Sequence, residues 1–232
     1  ERARTYLPEM RRDRDRVLIQ RMGPAAEALA SCLRGLGIPA ETLPLPDRES
    51  VRLGRRYTSG KECVPMCITL GSLLQRIERD RDGSERFTFF MPTSPGPCRF
   101  GTYQLLHKIV LERLGWKERV RTWSPTSEGY FDGVPQGFAS LVFSGVMATD
   151  LLQAALLDVR PAERAPGRGE YLKRNALSYP VRLITARVSL KSSTVSPGNP
   201  TMMSVESERS GSASRSFTTS DSYSSIVYIR CM

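Results

Sequence analysis

Short apolar runs alternate with helix-periodic segments through most of the chain, and this alternation constrains the fold more than any other feature. VLIQ (17–20) reads as a short buried strand. RMGP follows as a turn, and Pro24 suits the first turn of a helix, where a missing N–H costs nothing. AAEALASCLRGLG (25–37) has helical apolar spacing and closes on Gly35 or Gly37. AETLPL (40–45) reads as a second strand, so the unit implies parallel strands joined by a right-handed crossover. The pattern continues with a short helix over 49–57, a helix over 64–79 and the apolar strand FTFFMP (87–92). A loop, TSPGPCRFG (93–101), leads into an amphipathic helix over 102–116. A strand within 119–125 and a long apolar-faced helix over 138–160 complete the set. Alternation of this kind predicts an α/β fold: a Rossmann-like parallel sheet flanked by helices.

The formal net charge of +10 raises the question of nucleic acid. Three features argue against it. Arg far outnumbers Lys, as a GC-rich coding sequence would produce. Acidic residues interrupt the basic runs, as in RRDRDR (11–16) and RIERDRDGSER (76–86), a pattern typical of solvated faces. No aromatic-studded basic motif accompanies them. The expectation is no nucleic acid, with part of the charge open to a small anion such as an acyl-CoA or a nucleotide. No uninterrupted run of about 18 apolar residues is present, and the charged opening ERARTYLPEMRRDRDR lacks a signal core. The reading is therefore cytoplasmic, without a membrane span. The chain opens on Glu1 rather than Met, and a fragment of a longer protein is one reading of that start.

Five cysteines without a secretory signal make a disulfide framework improbable. Cys63 and Cys67 lie in SGKECVPMCITLG, and Cys98 lies in SPGPCRFG. Each segment is a Gly- or Pro-containing loop running into a helix, and the second follows the strand FTFFM. In an open parallel sheet, ligands bind beyond the carboxyl ends of the strands. Thiolates are the metal-binding form, and helix amino ends favour an anion. Backbone N–H groups near Gly60, Gly96 and Gly101 suit donation to cluster sulfurs. The four-residue step from Cys63 to Cys67 puts both thiols on one helical face, but Cys67 is nearly as compatible with helix packing. Zinc is the competing metal; three cysteines leave it short of the usual four ligands. The sole histidine, His107, reads as a partly buried helix residue. Cys32 reads as an inert core thiol, and Cys231, one residue from the end, is no ligand. Ser59, Glu62 and Arg99 flank the cysteines and suit substrate or hydroxide positioning, although exposure and loop hydrogen bonds explain them better.

The segments VLIQRMGPAAEAL, GRRYTSGKECVPMCITLGSLL and FFMPTSPGPCRFGTYQ resemble the activase-associated proteins of the 2-hydroxyacyl-CoA dehydratase group, over about Val17 to Arg174. The resemblance implies a [4Fe–4S] cluster bound by Cys thiolates, with Cys63 and Cys98 matching the family's first pair of ligands. It gives no clear counterpart for the later ligand, so either Cys67 replaces it or it lay in a lost C-terminal region. It also implies an anaerobic, low-potential electron route to an acyl-CoA substrate, fed by an ATP-dependent activase domain or subunit. The chain carries no phosphate-binding glycine loop of its own; GLG (35–37) and GRG (167–169) are isolated. The alternatives are a non-catalytic cluster- or zinc-binding interaction module of a larger activase assembly, or an inactive fragment.

Composition breaks near Ala186. From there to Met232, 14 of 47 residues are Ser, against 11 in the preceding 185. Such bias suits disorder or an out-of-frame, non-native tail. The expected organisation is a charged segment (1–16), an α/β iron–sulfur domain (17–176) and a Ser-rich tail (186–232).

Overall fold

Each strand is only three or four residues long, and the alternation of its side chains decides how the helices are distributed. The computed structural model describes residue 10 and residues 12–80, 82–126 and 137–176; the Ser-rich tail lies outside them. β1 (Arg16–Ile19), β2 (Ala40–Thr42), β3 (Phe87–Phe90) and β4 (Val120–Trp123) form one all-parallel sheet in the order β2-β1-β3-β4. The register pairs Leu18 with Glu41 and Phe89, and Phe89 with Thr122.

Val17 and Ile19 point to one face and Leu18 to the other, as a period of two requires. On the first face they join Leu29, Cys32 and Leu33 of α1 (Ala26–Gly35) and Phe138 and Val142 of α5 (Phe138–Val159). On the second, Leu18, Phe87, Phe89 and Val120 pack on Met66, Leu70, Leu73, Leu74 and Ile77 of α3 (Val64–Arg79). Tyr103, Val110 and Leu111 of α4 (Tyr103–Arg113) complete that layer. Helices cover both faces, the arrangement the alternation predicts. The remaining helix, α2 (Arg48–Arg56), starts at an Asp47–Ser50 capping box, with Ser50 N donating to Asp47 Oδ1 at 2.8 Å.

α2 and α3 touch backbone to backbone. A Cβ added at Gly54 would lie 1.8 Å from the Cys67 carbonyl oxygen, and one at Gly71 would lie 1.6 Å from that of Ser50. Only glycine permits this approach.

The structure departs from the sequence reading at β2 and at the mixed-charge runs. β2 stops at Thr42 rather than reaching Leu45, because Pro44 and Pro46 cannot donate to a ladder. The mixed-charge runs are not simply solvated. Asp15 is fully buried, accepts from the Thr88 hydroxyl at 2.9 Å and lies within 3.6 Å of the Arg86 and Arg121 guanidinium groups. Arg16 and Arg76 both reach Glu41 and Glu85. A buried carboxylate persists only with such partners, so these runs lace the strand starts together.

The helical stretch Phe138–Ala162, which contains α5, is long and apolar enough to cross a membrane by length and composition, with 22% of its 18-residue apolar segment buried. Ser140, Ser144, Thr149 and Asp150 interrupt its apolar run. Its inner residues Phe138, Val142 and Leu156 are buried, while Phe143, Met147 and Leu151 are exposed.

Candidate functional site at the carboxyl edge of the sheet

The strand order reverses between β1 and β3, and the crevice beyond their carboxyl ends is where open α/β sheets bind ligands. Strand pairing continues past β3: Met91 N donates to Trp123 O at 2.9 Å and Thr93 N to Pro125 O at 3.0 Å. The chain then turns through Ser94–Cys98. Thr93 Oγ1 donates to Gly101 O at 3.0 Å and closes the base of this loop. A Cβ at Gly101 would meet the Ser94 carbonyl oxygen at 2.7 Å, and Gly96 has φ +130°, so glycine is needed at both positions.

Cys98 is exposed in extended backbone and caps the 3-10 turn Arg99–Thr102, which runs into α4. Cys63 has the same extended backbone and caps α3, with Pro65 in the first turn. Neither side chain is used for a capping hydrogen bond. Because α3 ends just before β3 begins, its amino end lies at the carboxyl edge of the sheet. Two bonds tie the loops together there. Arg99 Nη1 donates to Lys61 O at 2.7 Å, and Cys63 Sγ lies 2.8 Å from Tyr103 Oη. The structure thus brings the Cys63 and Cys98 loops to one edge.

Cys67 sits one turn deeper on α3. It is buried, its Sγ lies 3.6 Å from Thr58 Oγ1, and its carbonyl packs under Gly54. Glu62 accepts from Ser59 N at 3.0 Å and Ser59 Oγ at 3.1 Å, bonds that hold its carboxyl below the usual range. Ser59, Glu62 and Arg99 thereby shape and join the loops, as the hydrogen-bonding reading of the sequence expected.

His107 is fully buried rather than partly so. Its Nε2 lies 3.2 Å from Thr69 Oγ1, its ring tilts against Phe89, and burial pushes its pKa down to about 3. Cys32 lies in the opposite core, where burial pushes its thiol up to about 12. Among the described residues, no group of three or more His, Cys, Asp or Glu side chains is drawn close enough to hold a metal ion.

Sequence reasoning missed two residues here. Tyr103 counted only as an apolar position of a helix, yet its hydroxyl meets Cys63. Gln20 follows β1 at the switch point, is 4% exposed, and its Oε1 has no hydrogen-bond partner among the described residues. The one signal was a polar residue closing the run VLIQ. A cleft of about 620 Å³ lined by Glu41, Arg76, Arg79, Asp80 and Glu85 lies elsewhere. It adjoins the carboxyl end of α3, roughly 24 Å along the helix from Cys63 at 1.5 Å per residue.

Comparison of the chain with protein-family models, with curated proteins and with solved structures gave no match.

Proposed function

We propose that this chain is an iron–sulfur redox protein related to the 2-hydroxyacyl-CoA dehydratases and their activases. In this reading Cys63 and Cys98 anchor a [4Fe–4S] cluster at the carboxyl edge of the sheet, and Cys67 is the candidate third ligand. The observation that carries it is the pair of uncapped N-terminal cysteines on two loops joined by the Arg99–Lys61 hydrogen bond. The donor set suits the group: thiolates bind such clusters, and glycines at 60 and 96 leave the loop backbone open to approach. The described residues offer no third converging donor, so the remaining ligation falls to Cys67 or to residues beyond those described. Zinc is the weaker reading, because His107 is sealed in the core against Thr69 and Phe89.

When bound, the cluster would supply low-potential one-electron chemistry. The chain's own part is to hold its anchors at fixed positions and to keep them at an edge that a partner can reach. Exposed Cys98 faces solvent, where an ATP-dependent activase delivers the electron. Half-buried Cys63 faces inward, beside Tyr103. An acyl-CoA is the substrate class this reading implies, in the cytoplasm of an anaerobe.

The test is anaerobic purification of the full chain and its cysteine variants. Cys63→Ser and Cys98→Ser should each abolish iron binding and the charge-transfer absorbance near about 400 nm. Cys67→Ser should weaken the cluster or alter its spectrum. Full retention of iron in both Cys63→Ser and Cys98→Ser would remove the basis of the proposal.

A further inference from the structure

We infer that the outer edge of β4 is a docking surface for this chain's own segment VRLIT (181–185), which adds to the sheet as an antiparallel edge strand; the surface is independent of the cysteine site. In the ladder between β3 and β4, Phe87 N donates to Arg119 O, Met91 N to Trp123 O and Thr93 N to Pro125 O. The odd-numbered residues of β4 therefore bond to β3. The backbone N–H and C=O of Thr122, and the N–H of Ser124 just beyond, point away from the sheet. Among the described residues nothing bonds to these groups. The opposite edge of the sheet is covered. Arg34 Nη1 donates to Ala40 O at 3.0 Å, Thr42 Oγ1 donates to Glu27 Oε2 at 2.7 Å, and Pro44 and Pro46 follow. A strand edge without such cover is a template for a further strand.

Composition and path select the occupant. VRLIT resembles the strands already in the sheet, RVLI in β1 and VRTW in β4, and Pro180 precedes it, where a strand tolerates proline. It lies between the last described residue and the compositional break near Ala186. Residues 168–176 are helical and double back on α5. A Cβ on Gly169 would lie 3.0 Å from Leu156 Cδ1, and Lys173 Nζ donates to Gln153 Oε1 at 3.1 Å. This segment therefore runs toward the amino end of α5, where Phe138 shares a core with Trp123, the last residue of β4. Residues 177–180 are left to bridge to the β4 edge. Handedness sets the direction. β1 leads to β2 through α1 on one face, and β3 leads the other way to β4 through α4 on the opposite face, as right-handed crossovers require. α5 lies on the α1 face, so a parallel strand outside β4 would need a left-handed crossover. An antiparallel strand needs none, and such edge strands are common on otherwise parallel sheets.

The experiment is amide hydrogen exchange and cross-strand proton contacts by nuclear magnetic resonance on the full chain. In the wild type the Thr122 and Ser124 amides should exchange slowly, and Hα–Hα contacts of the antiparallel kind should join residues 120–124 to 181–185. The double variant Leu183→Pro/Ile184→Pro removes the ladder donor whichever way the segment faces. It should speed exchange at Thr122 and Ser124 by about tenfold or more, whereas Thr194→Pro, beyond the segment, should leave both amides as in the wild type. Fast exchange at Thr122 and Ser124 in the wild type would show the edge empty and overturn the inference. Protection that survives the double variant, or that grows with protein concentration, would assign the edge to another occupant, such as a second copy of the chain, and overturn it equally. Should the double variant fail to fold, the wild-type contacts decide alone: their absence, or a parallel pattern, contradicts the assignment.

Discussion

Cys32 and Cys63 show how placement, rather than residue type, decides what a thiol can do. Cys32 is enclosed by Val17, Leu29 and Leu33, and burial raises its pKa to about 12, so at neutral pH it stays protonated. Cys32→Ala should retain all the iron and lose only about 1 kcal/mol of stability from the smaller side chain; loss of half the iron would place this thiol at the site after all. His107 makes the corresponding point for a base. Burial lowers its pKa from 6.5 to about 3, so the native ring is neutral at pH 7. The unfolded chain takes up a proton near 6.5 that the native state refuses until about 3. Stability is therefore complete above that window and falls as pH drops through it, by about 1.4 kcal/mol per unit for this group. In His107→Gln, urea titrations between about pH 6 and 4 should show a flatter dependence on pH; an unchanged slope would mean that the native ring accepts its proton.

Among the elements, the α2–α3 pair sets where the inner cysteines lie. Gly54 and Gly71 allow the backbone contact, and Cys67 is the residue beneath it. Gly71→Ala forces a methyl group against the Ser50 carbonyl and should cost about 1–3 kcal/mol or more, read as a lower urea midpoint. A neutral result would show that the helices can separate freely. This close approach was not legible in the sequence, where both glycines are ordinary interruptions of helical periodicity. What was legible is local. α3 spans the residues its pattern marks, because Pro65 opens it and the polar run after Arg79 closes it. β2 is shorter than its apolar pattern, because the two prolines override it. The Cys63–Tyr103 bond spans 40 residues of sequence, and no periodic signal records such a contact.

At the scale of the molecule, a short parallel sheet with helices on both faces leaves one edge where chemistry is easily placed. That edge carries Cys63, Cys98, Tyr103 and Gln20, and the Arg99–Lys61 bond holds its two loops in step. The fold class followed from strand–helix alternation alone. The identity of the site did not, because cysteines in loops have the same sequence signature whether they bind iron, bind zinc or bind nothing. The measurement that separates these cases most directly is metal and acid-labile sulfide content of the full chain after strictly anaerobic purification. The account predicts iron and sulfide in equal amounts, with visible absorbance that bleaches on reduction. Zinc without sulfide, or a chain free of metal after attempted reconstitution, would contradict it.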